Sequence, residues 1–341
     1  MSTTIVTFGE IMARLSPPGY QRLIQTRSLE LTFGGGEANV AVSLAQLGQN
    51  ARFVSVLPDN DLGRACRGEL ARYGVDVSHI AMAPGRMGLY YCEKGASQRP
   101  SKVIYDRAGS AVACAQPSIY SWEKALDGVS WLHFTGITPA ISDNAAAATM
   151  DAVKAAKKAG ATVSCDLNYR KKLWSREKAG RIMTELMPYV DLLIANEEDA
   201  ADVFGIQAEA TDITRGVIDQ SGYESVARQL CGRFSLSKVA ITLRESISAS
   251  RNGWSAMLFS EGRAIHSKRY DIQIVDRVGG GDSFAAGLIY GLSTGMSDSD
   301  ALEFAVAASC LKHTVEGDFN LVSRDEVLAL AGGDGSGRVQ R

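Results

Sequence analysis

The chain has 341 residues, with 36 Lys and Arg against 38 Asp and Glu and a formal net charge of -2, so it lacks the basic excess that a polyphosphate such as DNA selects. Hydrophobic residues make up 45% and charged ones 22%, enough for a large core, and no apolar run reaches the length of a membrane span or a secretory leader. The six cysteines are scattered without a CxxC pair, which fits free thiols in a reducing cytosol, so a cytoplasmic protein with no nucleic-acid or membrane partner is expected.

Residues 4–9 are a β-rich apolar run ending at Gly9, as a buried first strand begins. From Glu10 to Phe33 the text turns to alternation around Ser16-Pro17-Pro18-Gly19, which predicts short strands off the main sheet. Gly34-Gly35-Gly36 then opens a helix carrying Val40, Leu44 and Leu47 on one face and closing at Gly48. A strand over 51–57 and a helix over 61–73 follow, and a second turn-rich excursion runs from Arg86 to Ser110. The two excursions, 11–33 and 86–110, are expected to pair into one small lid of strands.

The alternation resumes with strands over 129–134, 161–166, 190–195 and 238–243, separated by helices over 144–159, 175–187, 197–203 and 223–233. A hairpin over 254–259 and 263–268 precedes helices near 282–294, 299–313 and 323–331. Strands alternating with helices imply an α/β fold with a mostly parallel sheet covered on both faces. One domain over 1–331 with the lid inserted, then a flexible Gly-rich tail over 332–341, is the expected organisation.

The strongest chemical signal is Asp276-Arg277-Val278-Gly279-Gly280-Gly281-Asp282, running straight into a helix. Glycines at a helix start expose backbone N–H groups, and the helix dipole adds positive charge, so an anion such as phosphate suits the turn. An acid beside a bound phosphate suits a base that takes a proton from an attacking hydroxyl. The competing reading is a helix cap at Asp282 and a plain tight turn.

These residues resemble the C-terminal signature of the ribokinase-like (PfkB) carbohydrate kinases, Asp-Thr-x-Gly-Ala-Gly-Asp, with Arg277 and Gly280 as departures. The resemblance implies a three-layer sandwich with a small β-strand lid, ATP and Mg2+ as cofactors, Asp282 as general base, and Gly279 and Gly281 as the anion hole. A monovalent cation is left open. Gly34, Gly35 and Asn39 match the segment that holds the sugar, although Asn39 also suits an ordinary helix cap. Asn196-Glu197-Glu198-Asp199 matches an Asn-x-x-Glu segment acting on magnesium-bound phosphate, with Asp199 standing where the Glu would be and reaching the metal through water. Asn168, Asn196 and Thr242 fall on the ATP side. There Thr242-Leu243-Arg244 departs from Thr-Leu-Gly, and Val306 stands where an Asn is frequent.

Within that family the segments Gly9 to Gly19, Gly88-Leu89-Tyr90, Tyr105-Asp106-Arg107, Asp166 to Arg170 and Gly317-Asp318-Phe319-Asn320 resemble the branch acting on 2-keto-3-deoxygluconate. The resemblance implies transfer of the γ-phosphate of ATP to the C6 hydroxyl of that sugar acid. A sugar acid needs a cationic partner, and Arg107 and Arg170 are the candidates, against a surface or salt-bridge role for each. Tyr90 and Tyr105 are expected to wall the substrate from the lid or to pack across strands. A kinase for fructose or another neutral sugar and a non-catalytic sugar- or nucleotide-binding protein are the alternatives. A dinucleotide oxidoreductase lacks its GxGxxG after the first strand. Exposed lid strands suit edge pairing of two copies, so a homo-oligomer through the lid is the remaining partner expectation.

Overall fold

The computed structural model describes residues 4–196, 198–207 and 220–335. Among these, strands β1 (Thr4–Phe8), β2 (Met12–Ser16), β3 (Glu30–Gly34), β4 (Asn50–Pro58), β5 (Ile80–Ala83), β6 (Leu89–Glu93), β7 (Lys102–Asp106), β8 (Val129–Thr135), β9 (Thr162–Asp166), β10 (Leu192–Asn196), β11 (Lys238–Ser246), β12 (Arg251–Ser260), β13 (Arg263–His266) and β14 (Tyr270–Gln273) divide into two sheets. The larger runs β13-β12-β11-β10-β9-β8-β1-β4-β5, and every pairing from β11 to β5 is parallel.

Side chains alternate across this sheet because successive residues of a strand face opposite ways. On β10, Leu193 and Ala195 join one apolar cluster and Leu192 and Ile194 the other. Both faces are therefore covered, giving three layers. Helices Asp143–Lys158, Arg176–Leu186 and Gln220–Phe234 lie on one face, and helices Gly36–Gln46, Gly280–Ser293 and Asp298–Lys312 on the other. The α/β sandwich expected from the alternation is the fold observed.

Two strands escape the sequence pattern. Ile80–Ala83 is a four-residue edge strand rich in Ala, which signals helix as readily as strand. The second arm of the expected hairpin stops at His266, not at residue 268, and contact with β12 resumes at Tyr270–Gln273. The helix expected from 197 begins at Asp199, with Glu197 outside the described residues, as is the tail from residue 336.

The smaller sheet runs β3-β2-β6-β7, with β2 antiparallel to β3 and parallel to β6. The two excursions thus meet at β2 and β6, where Ala13 lies opposite Leu89. This lid is tied to the C-terminal third by Arg14, which is 2% exposed. Its Nη1 donates to Asp318 at 2.6 Å, its Nη2 to Asp276 at 2.7 Å and its Nε to Ser16 at 2.9 Å. Tyr90 of β6 donates its hydroxyl to the other Asp318 oxygen. Burial works against the Arg14 charge, but Asp318 and Asp276 hold the guanidinium well above its ordinary pKa.

Removing one partner of such a group leaves buried charge uncompensated, at a cost of about 3–5 kcal/mol. Arg14→Ala is therefore expected to lose stability of that order in urea unfolding at neutral pH. Part of the loss should return as the pH falls and the stranded Asp318, which burial already pushes up, takes up a proton. A loss below about 1 kcal/mol would show that the network contributes little.

Candidate active site

A cavity of about 300 Å³ opens between the lid and the large sheet, where β9 ends at Asp166 and β10 at Asn196. The carboxyl ends of parallel strands are where open α/β sheets leave a crevice for ligands. All the site residues expected from the sequence line it: Gly34, Gly35, Asn39, Tyr90, Tyr105, Arg107, Asn168, Arg170, Asn196, Asp199, Thr242, Gly279, Gly281 and Asp282.

The glycine turn is held by sterics. Gly279 has φ +84°, and a Cβ there would stand 2.1 Å from the Asp318 carbonyl oxygen, so no other residue fits. At Gly280 a Cβ would meet the His313 ring at 2.5 Å, which accounts for glycine at a position where the family signature has alanine. The place of a Gly281 side chain is clear of protein atoms to 4 Å, so this amide turn is open where the other two are packed.

Asp282 falls in the first turn of the helix that follows, yet that helix has no side-chain cap. Its carboxylate instead accepts a hydrogen bond from Asn39 Nδ2 at 2.7 Å, which overturns the capping alternative. Asn39 Oδ1 meanwhile accepts from the Gly35 N–H at 3.2 Å, fixing which way the amide faces. Burial pushes the Asp282 pKa up to about 6 against the Asn39 hydrogen bond, with Asp318 raising it further and Arg170 and Lys312 pulling it down.

The two arginines expected to meet a carboxylate differ. Arg107 is buried and paired with Glu10 through Nε at 2.7 Å and through Nη2, and it lies over the Tyr105 ring. Arg170 is exposed to the cavity and makes no ion pair among the described residues. Tyr90 and Tyr105 stand directly opposite on β6 and β7 with ring centroids 6.0 Å apart, so cross-strand packing and lining the cavity coincide. Gly34 packs against the Asp318 carboxylate, within 2.0 Å of where a Cβ would be.

On the other side, Asn196 and Thr242 are neighbours on β10 and β11. Asn196 Oδ1 accepts from the N–H groups of Glu198 and Asp199 at 2.8 and 2.9 Å, so its oxygen shapes the turn. The Asn168 N–H donates to Asp166 Oδ1 at 3.1 Å. Asp199 is buried and accepts from the Tyr169 N–H. Burial, with Asp199 and Asp282 nearby, drives Asp166 well above the carboxylate range, so this wall resists full ionisation and a cation there would favour the carboxylate form. Among the described residues no three acids, histidines or cysteines converge as a metal cage. Magnesium keeps most of its waters and is held by one or two carboxylates, and Asp166 and Asp199 both line this wall. Val306 is fully buried and does not reach the cavity.

Residues the sequence did not single out complete the site. Arg14, Glu10 and Asp318 anchor the lid side, and Asp166 closes the floor. All four lie inside segments marked above, but a position gives no partner. Arg14 on a short strand looks like a surface charge.

The chain matches the pfkB family carbohydrate kinase description over residues 2–323. It is 36% identical over 335 residues to the 2-dehydro-3-deoxygalactonokinase of Haloferax volcanii, covering 98% of each chain. It is 29% identical over 331 residues to the 2-dehydro-3-deoxygluconokinase of Bacillus subtilis, covering 96% of this chain and 95% of that one. The solved 2-dehydro-3-deoxygluconokinase of Thermotoga maritima superposes with a TM-score of 0.94 at 51% identity, over 97% of this chain and 100% of that one. A signature turn at the end of a parallel sheet, a β-strand lid and relatives matched end to end agree, and the chain belongs to the PfkB family of carbohydrate kinases.

Proposed function

We propose that this sugar kinase transfers the γ-phosphate of ATP to the C6 hydroxyl of 2-keto-3-deoxygluconate, giving the 6-phosphate, ADP and a proton. The observation that carries the reading is the Asp282 carboxylate, oriented by Asn39 beside the open amide turn at Gly281. A hydroxyl held against that carboxylate gives up its proton as its oxygen bonds to phosphorus, while the Gly279 and Gly281 amides take up charge on the transferred group. Asp199 and Asp166 suit a hydrated magnesium ion, which when bound supplies positive charge to the phosphates. Asn168, Asn196 and Thr242 line the nucleotide side, and Tyr90 and Tyr105 shield the sugar from water.

The acid substrate is supported by Arg170, a cation without an ion pair among the described residues. Arg107 contributes less, because Glu10 already balances its charge. The relatives named for the gluconate and galactonate forms favour a sugar acid over fructose and make the galacto-epimer the second substrate to assay. The lid leaves Leu31 and Ile104 49% and 42% exposed, which supports pairing of two lids.

Asp282→Asn is expected to lower kcat by about 10²–10⁴-fold while sugar binding by calorimetry stays within a few-fold, and an unchanged kcat removes Asp282 from the chemistry. Because the base works ionised and its pKa stands at about 6, kcat/KM should rise with pH through that value and level off above it. A profile flat from pH 5 to 7 contradicts the assignment. Arg170→Ala should raise KM for the sugar acid by roughly 10–100-fold and far less for any neutral sugar accepted. Equal losses on both would take the carboxylate away from Arg170.

A further inference from the structure

Two arginines that the proposed chemistry leaves unused face the same cavity. Arg244 stands two residues beyond Thr242 on β11 and Arg277 two residues before Gly279, and both line the cavity with Asn196 and Gly281. Both are departures from the family pattern, each a cation at a place where the pattern has none.

Neither is balanced by an ion pair among the described residues. Arg244 makes no ion pair or side-chain hydrogen bond with any described residue, and Arg277 donates from Nη2 to the Ala249 carbonyl at 2.9 Å. The Arg277 Nε is buried with no partner. Asp276, the acid whose charge acts on Arg277, already accepts from Arg14, from the Val278 N–H and from the Gly317 N–H. Burial, and then the charge of Arg244, push the Arg277 pKa below its ordinary value. Two like charges beside an open amide turn repel one another, and an anion between them offsets that repulsion, the more so the more charge it carries.

The sugar carboxylate does not meet that need. Arg170 acts on Asp166 and Asp282, whereas Arg244 acts on Arg277 and His313, so these cations belong to different parts of the wall. We propose that Arg244 and Arg277 form a clamp on the polyphosphate of the donor nucleotide, gripping the phosphates that the Gly279–Gly281 amides cradle. Guanidinium groups suit this because their planar forks meet phosphate oxygens in pairs. The clamp rests on the kinase reading above and adds to it how the phosphate chain of the donor is recognised.

The test is calorimetric titration of inorganic tripolyphosphate, with magnesium but without sugar or nucleotide, into the wild type, Arg244→Ala and Arg277→Gln. Each variant should bind the tripolyphosphate about tenfold or more weakly, while adenosine, which has no phosphate, binds all three alike. In steady-state assays KM for ATP should rise by a similar factor and KM for the sugar acid should stay within about twofold. Arg244→Ala removes an exposed side chain without a partner, so it decides the matter even where Arg277→Gln fails to fold. The clamp is overturned if the wild type does not bind tripolyphosphate, or if Arg244→Ala binds it and ATP as tightly as the wild type. A protein that binds tripolyphosphate through both arginines but forms no ADP with any sugar would overturn the kinase reading and leave the clamp standing. ADP formed at an unchanged KM for ATP would do the reverse.

Discussion

Asp318 and Arg14, 304 residues apart in the chain, form the contact on which the geometry of the site depends. Taking a guanidinium and two carboxylates out of water is unfavourable unless every one is paired, so the network tolerates only one arrangement of the segments that bring them. Those segments are a lid strand, the start of the glycine turn at Asp276 and the loop carrying Asp318. The same Asp318 takes the Tyr90 hydroxyl, leaves no room for a side chain at Gly34 and, through its carbonyl, leaves none at Gly279. One acid therefore touches the lid, the sugar-side glycines and the amide turn together. Their spacing is fixed relative to one another, and with it the distance across which a hydroxyl must meet a phosphate.

Charge in the cavity is divided. Asp166, Asp199 and Asp282 share one wall, and burial raises both Asp166 and Asp282, with Asp199 and Asp282 adding to the first and Asp318 to the second. Lys312 sits buried behind the turn with its own pKa lowered by burial, although Asp276 and Asp318 counter this. Arg244 and Arg277 face the cavity near His313, whose neutral form burial favours by bringing its pKa down to about 4. A site built this way holds acids that want a cation and arginines that want an anion. A magnesium–polyphosphate ligand offers both at once, which is the electrostatic argument for the donor.

Much of this was legible in the sequence because period and punctuation report backbone geometry directly. Glycine at Gly48, Gly74 and Gly160 marks where chain turns, and all three have positive φ. The lid was readable as two turn-rich interruptions, and so were the glycine turn and Asp282. The Asn39–Asp282 hydrogen bond was not, since 243 residues separate the partners and both also suit a cap. Arg14 and Glu10 were missed for a related reason: a charged residue on a short strand or in the turn leading to it is ordinarily exposed, and only the fold reveals the acid or base waiting opposite. The strands at Ile80–Ala83 and Tyr270–Gln273 were too short for alternation to speak.

Arg107 and Arg170 make the limit of sequence reading concrete, because both stand in equally marked segments and both reach the cavity. What separates them is whether the charge is already answered. Glu10, itself buried and also bonded to Ser110, takes two donors of Arg107, so an incoming carboxylate there would compete with a pair formed at no cost in translational freedom. Arg170 is answered only at a distance by Asp166 and Asp282. A carboxylate arriving at Arg170 gains a full partner, and drawing that cation off would also let the nearby acids rise further. Substrate charge at Arg170 and the basicity of Asp282 are thus linked through one field, which is why a sugar acid is more than a neutral sugar with an extra handle.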